Sequence, residues 1–546
     1  CRTCHPGHYY SWQQSYHRTM TQRATTAALA PDLEGVVLAL SGSAYRFDRD
    51  GDRWFVTIER PDRKPQRRRL ELTTGSHHRQ WLWFETGRGR ALAALPFIYL
   101  IAEGRFVPRD AAFMQPPQRT WSTGHLDGKW GVGCINCHTT APRAASSRAG
   151  EPRAETGEAT AAELGIACEA CHGPAADHVR QYRNPGTRYS QHLGGEVSSS
   201  IVDPSELTAR QSSAVCGQCH SLVAAAAVGE FQPGGTLEDH YDRSSLEDEI
   251  DQRARWSDGR VRMGGREYDA ISNTGCFRSG EMSCLSCHAM HRGDDDLRPF
   301  SVWASDQLRP QNDSDLACLQ CHEMPDVRAH THHAKGSLGS ACNDCHMPHT
   351  SYALLKAIRN HQVAPPSVAE TVEAGRPNAC NLCHLDRSLG WTAEHLEAWY
   401  GVEAPELDPD EQRVAAGALW ALRGDAGKRV LLAWHMGWEP ARRTSGTDWL
   451  PFYLALLLDD PYPAVRYVAW RSLRSLPGYD DLAFDYVAER DHRASVSMQV
   501  FERWQATSAP MPKRPAVLLD AGGVPMNEDL ARLSAERDAR VVEWLE

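Results

Sequence analysis

The chain has 546 residues, among them 17 cysteines and 25 histidines, and a formal net charge of −11. This acidic balance counts against a nucleic-acid partner. It contains no run of about 18 or more apolar residues that would cross a membrane as a helix, and its length points to more than one domain.

The segment 1–32 opens on CRTCH, with Cys1, Cys4 and His5. The same Cys-x-x-Cys-His pattern returns seven times: Cys134, Cys137 and His138; Cys168, Cys171 and His172; Cys216, Cys219 and His220; Cys284, Cys287 and His288; Cys318, Cys321 and His322; Cys342, Cys345 and His346; Cys380, Cys383 and His384. Chance would supply only about 0.02 copies of this c-type haem attachment signature. The two thiols add to the haem vinyl groups as thioethers, and the adjacent imidazole reaches the iron. Zinc ribbons also use paired cysteines, but they do not require a histidine after every pair. Eight covalently bound c-type haems are therefore expected. A helical stretch with His17 follows the first motif. Twelve helical residues span about 18 Å, so His17 cannot share an iron with His5 and is a candidate for another haem.

Residues 33–115 lack the motif. GVVLALSG, RWFVTIER, RRRLELTTG and RQWLWFETG have the composition of strands, with polar turns such as FDRDGDR between them. A small antiparallel β insertion is expected. His77 and His78 would face opposite ways on a strand, so at most one, taken as His78, points at a haem.

Residues 116–390 hold seven motifs, and short helices and loops around a haem core are expected. Residues 141–162, rich in small and polar side chains, read as a linker. The unpaired cysteine, Cys276, reads as a buried structural thiol. Residues 391–546 again lack the motif and read as helical. The helix around Val465, Val468, Ala469, Leu473 and Leu476 shows it best, with Asp460 as its cap, prolines in its first turn and Pro477-Gly478 as its stop. Paired helices of this kind suggest a HEAT-like domain, with a plain bundle as the alternative.

The motifs leave seventeen other histidines. An iron with a second imidazole is closed and suited to electron transfer, whereas an open one can meet substrate. His178, His291 and His349 each lie too near their own motif histidine to reach the opposite face of that porphyrin, so each is expected to cap a neighbouring haem. His330 and His333 share a helical face at i and i+3. His361 precedes Pro365-Pro366, which would hold its loop extended. With His17 and His78 these make eight distal candidates. His8, His125, His192 and His240 are held in reserve, and Met20 and Met290 are the methionines that could substitute.

The segments SYHRTMTQ, GSHHRQ, CINCHTT, CEACHGPAADH, SCLSCHAMH, HTHHAKGS, CNDCHMPHTSY and GRPNACNLCHLD resemble the cytochrome c554, nitrite reductase and hydroxylamine oxidoreductase superfamily. More closely, the chain resembles exported multihaem cytochromes with a C-terminal HEAT-like domain. The resemblance implies stacked and T-shaped haem pairs and supports His17, His178, His291 and His361 as axial ligands. None of the eight motifs carries the lysine that marks the catalytic haem of the ammonia-forming nitrite reductases.

The expected architecture is a multihaem cytochrome c, mostly helical and irregular around its haems: an N-terminal haem segment (1–32), a β-rich insertion (33–115), a heptahaem core (116–390) and a HEAT-like helical domain (391–546). The expected function is long-range electron transfer through mostly bis-histidine haems, with redox proteins or further copies of itself as partners, up to an extracellular conductive filament. The alternative is an oxidoreductase acting on a small nitrogen or sulfur compound at a five-coordinate haem. Haem attachment takes place outside the cytoplasmic membrane, so a periplasmic or extracellular location, after removal of an export leader, is expected.

Overall fold

The structure, a computed structural model, describes residues 1–87, 89–117, 129–131, 134–143, 159–194, 200–222, 231–240, 253–507, 514–520 and 522–544. His125 and most of the expected linker, 144–158, lie outside them. The chain forms two compact units. One comprises Cys1–Pro108, Trp121–Leu246 and Gly275–Ala317; the other comprises Arg109–Thr120, Glu247–Thr274 and Cys318–Glu546. The first carries the motifs beginning at Cys1, Cys134, Cys168, Cys216 and Cys284. The second carries those at Cys318, Cys342 and Cys380 together with the helical tail, so it runs across residue 390, where the sequence suggested a boundary.

In the first unit, strands β2 (Val37–Leu40), β3 (Ser43–Asp50), β4 (Arg53–Arg60), β5 (Arg63–Thr74), β6 (Arg79–Glu85), β7 (Leu92–Leu100) and β8 (Arg105–Pro108) pair in sequence order as an antiparallel sheet. Strand β1 (Thr21–Arg23) joins it alongside β5. Alternation sets one face: Tyr45, Phe47, Trp54, Val56 and Ile58 are buried together with Leu70, Leu82, Leu95 and Phe97, as a period of two requires. FDRDGDR is mostly strand rather than turn. Phe47–Asp50 complete β3, Asp50 pairs with Arg53, and the two-residue connection between them has Gly51 at φ +60°.

The sheet's second cluster places a haem motif. A register shift between Leu70 and Leu72 sends Leu72 away from Leu70's cluster. Leu72 joins Trp83, Ala94, Trp130 and Ile135. Ile135 lies inside the helix Cys134–His138, so the β-sheet directly supports the second motif. After that helix, β9 (Thr139–Arg143) pairs with β10 (Thr160–Leu164), which leads into the helix Cys168–His172. Thr140 Oγ1 ties this turn down, donating to Gly165 O and accepting from Ala167 N.

In the second unit, helices from the tail pack in succession. Ala426–Gly437 lies against Pro463–Leu473, and Leu450–Leu458 against Pro463–Leu473 and Arg490–Thr507. Val465, Val468, Ala469, Leu473 and Leu476 are all buried. Asp460 is not the helix cap. Tyr462 occupies that position, and the Asp460 carboxylate accepts from Tyr462 N at 2.9 Å while pairing with Arg429 at 2.6 and 3.0 Å. Charge pairing has taken the group that capping would have used. Cys276 is half-buried, on the short helix Gly275–Arg278, rather than buried. No helix among the described residues is long and apolar enough to cross a membrane.

Candidate haem-binding sites

Every motif is built as one helical turn. The histidine N–H donates to the carbonyl of the first cysteine in His5 (2.8 Å), His220 (2.9 Å), His288 (3.0 Å), His322 (3.0 Å) and His384 (2.8 Å), and the other three motifs are helices in full. Residues three apart on such a turn share a face. Both thiols therefore point the same way, with the imidazole beside them, which is what two thioethers and one axial ligand to a single porphyrin require.

Among the described residues, five motif histidines are each faced by a second imidazole. The ring-centre separations are 6.2 Å for His5–His178, 6.1 Å for His220–His17, 6.3 Å for His172–His291, 6.0 Å for His346–His330 and 6.1 Å for His384–His333. Two nitrogens about 2.0 Å from one metal ion, each about 1.1 Å in front of its ring centre, give ring centres about 6.2 Å apart. The residues therefore fit a bis-histidine haem at each of the five places. Burial, then the facing imidazole His220, pushes His17 down to about 4, despite the opposing hydrogen bond it makes to Gln307. Burial is also the largest cause for His291 (to about 4), for His384 (to about 4), and for the downward shifts of His5 and His346. In all five, burial thus favours the neutral form, the form that ligates iron.

The sulfurs fit as well. Burial pushes the Cys171 and Cys345 thiols up to about 11 and those of Cys380 and Cys383 up to about 12. Such surroundings suit an uncharged sulfur, as in a thioether, better than a thiolate. Among the described residues no three His, Cys, Asp or Glu converge as a zinc site would need. Sulfurs of different motifs lie near one another instead: Cys216 beside Cys284 and Cys219 beside Cys137, with Cys171 close to both Cys216 and Cys219. The attachment points of four motifs thus gather in one place in the first unit.

The remaining candidates lie as follows. His77 and His78 sit in the bend between β5 and β6, not on a strand, so the alternation argument does not apply. Their rings stack at 3.7 Å, and His77 stacks on Tyr16 at 3.9 Å. His330 and His333 do not share a helix. The helix Val327–Thr331 ends, His332 adopts φ +56°, and the two flanking imidazoles reach different motif histidines while His332 stacks on Trp399 at 4.2 Å. His349 begins β11 (His349–Tyr352), which packs on the helix Ala426–Gly437. Its ring meets Trp434, His435 and Trp438, all on or beside the helix Ala426–Gly437, at 4.5, 5.5 and 5.0 Å. His361 follows β12 (Lys356–Arg359), its Nδ1 3.2 Å from Arg359 O.

Sequence reasoning missed the residues that brace the ligands. Trp12 is buried, donates from Nε1 to Ile166 O at 2.7 Å, and lies 5.8 Å from the His17 ring and 5.9 Å from that of His291. His8, a reserve ligand candidate in the sequence, lies edge-on to His291 at 4.6 Å. Gln307 Oε1 lies 2.5 Å from His17 Nδ1. Neither Trp12, which lies on a different helix from His17, nor Gln307 carried a local signal.

No family model matches the chain, and no solved structure matches it significantly. Among curated proteins, the chain is similar to a multihaem cytochrome, MtrA, of Shewanella baltica (strain OS185). The two are 22% identical over 295 residues, covering 53% of this chain and 64% of the relative, so the match spans less than two thirds of that protein. This distant kinship and the eight attachment motifs agree on covalently bound c-type haem as the group these sites are built for.

Proposed function

We propose that the chain is an exported octahaem c-type cytochrome that conducts electrons through closely packed, mostly bis-histidine haems. The observation that carries this reading is the set of five motif histidines each faced by a second imidazole at 6.0–6.3 Å. The chemistry a c-type haem supplies when bound is reversible one-electron transfer at iron. The chain's part is to close the iron against substrate with a second imidazole, to hold the ring orientations, and to bring attachment points together, as the approach of Cys216 to Cys284 does. The distant multihaem relative supports the electron-transfer class. The helical tail serves as a frame for the motifs of its unit: Ser445 Oγ donates to Cys383 O and accepts from Leu385 N, directly beside the last motif.

In this reading protomers pass electrons to redox proteins or to one another, and an open head-to-tail contact would give a filament. The test is a spectroelectrochemical titration of the native protein with a haem assay on the same sample. Eight haems per chain, all reversibly reduced and without turnover of nitrite or hydroxylamine, is the expected result. Sustained turnover of either compound would replace this reading with that of an oxidoreductase. Electron microscopy of native material separates a filament, with a regular axial repeat, from a dispersed protomer.

A further inference from the structure

The helix Phe300–Asp306 ends between a motif histidine, His288, and the distal candidate His17. Its last carbonyl, Asp306 O, lies 3.0 Å from His288 Nδ1, and the next residue, Gln307, reaches His17 Nδ1 with Oε1 at 2.5 Å. Gln307 is buried, 3% exposed, and holds a left-handed backbone at φ +49°, a conformation that glutamine rarely adopts. It is fixed there from several sides. Its N–H donates to Trp303 O at 2.7 Å, its carbonyl accepts from Ala289 N at 2.7 Å, and its amide nitrogen faces Met290 O at 3.5 Å. With the NH2 group turned to a carbonyl, Oε1 is the atom left for His17. An amide oxygen only accepts, so His17 must carry its proton on Nδ1 and keep Nε2 free as a lone pair.

We propose that Gln307 is a positioning residue for His17. It fixes the imidazole tautomer that presents Nε2 to the haem bound between His17 and His220, and by drawing on the Nδ1 proton it keeps that haem's reduction potential low. A partner on the outer nitrogen orients the ring and raises ligand basicity, and a more basic axial ligand favours ferric iron. The inference rests on the assignment of His17 as that haem's distal ligand.

The test uses the full haem-loaded protein and four variants, read by redox titration and by electron paramagnetic resonance of the low-spin haems. Gln307→Met removes the acceptor at similar length. Gln307→Gly also removes it and suits the left-handed backbone, so a folding defect in the first variant leaves the question answerable. Both should raise one haem's midpoint, with about a tenfold change in its reduced-to-oxidised ratio at fixed potential, or about 59 mV for one electron. Gln307→Glu, a stronger acceptor, should lower the same midpoint. His17→Ala identifies the haem by opening it. The proposal is overturned if the Gln307 variants leave every midpoint unmoved, shift it all in one direction, or shift a transition that His17→Ala does not touch. If His17→Ala leaves all haems low-spin, the ligand assignment itself fails and takes the proposal with it.

Discussion

Replacement of His291 by alanine should open a haem attached elsewhere in the chain. His291 follows its own motif by three residues, yet its ring faces His172 at 6.3 Å, so the haem affected is the one held by Cys168 and Cys171, not by Cys284 and Cys287. One opened iron among eight attachment motifs converts about one-eighth of the ferric iron from low to high spin. The His8 ring, 4.6 Å from that of His291, is the nearest replacement, so the single variant should show less than this and the His8→Ala/His291→Ala variant the full amount. Magnetic circular dichroism of the oxidised protein measures the fraction, and added imidazole should return it to low spin. Removing Cys168 and Cys171 in the double-variant background should abolish the high-spin signal. A double variant that remains entirely low-spin, or a high-spin signal that survives loss of Cys168 and Cys171, would refute the pairing.

Four further outcomes concern the second unit. Asp425→Asn leaves the buried Arg262 guanidinium, 2.8 Å from the carboxylate, without its charge partner, and should cost about 3–5 kcal/mol in denaturant unfolding. Burial pushes the His435 imidazole down to about 3, so it is neutral when folded and titrates near 6.5 when unfolded. Its stabilisation is present above pH 6.5 and lost as pH falls toward 3; His435→Phe should flatten the loss of thermal midpoint between pH 6.5 and 4. Gly417→Ala in the helix Ala416–Arg423 would ordinarily gain about 1 kcal/mol. Here a Cβ would sit 2.5 Å from Leu385 O, so a lowered thermal midpoint is expected. Ending the chain at Gly401 removes Ser445 from Cys383 and Leu385 and should perturb the spectrum of the haem at Cys380 and Cys383, as well as expose apolar surface.

The motifs were legible because covalent attachment demands a fixed local spacing, and one helical turn satisfies it without help from the rest of the chain. Strand β4 was legible for a similar reason, since Trp54, Val56 and Ile58 alternate. Distal ligands are long-range. Nothing local to His178 names His5, and His330 and His333 separate only because His332 takes a left-handed turn. His77 and His78 are not split to opposite faces, because the chain bends at 76–78 and does not continue as a strand. His349 sat in a motif-like setting, but the indoles of Trp434 and Trp438, some 85 residues on, decide its surroundings. Asp460 had the composition of a cap, and a buried arginine 31 residues earlier claimed it.

The central claim is that imidazoles close the irons on both faces. Mössbauer spectroscopy of the oxidised protein, grown on 57Fe and normalised to chain concentration, counts every iron by spin state. The account predicts eight irons per chain, low-spin ferric throughout or nearly so. Six or fewer irons, or a high-spin ferric fraction equal to two or more of the eight, would contradict it.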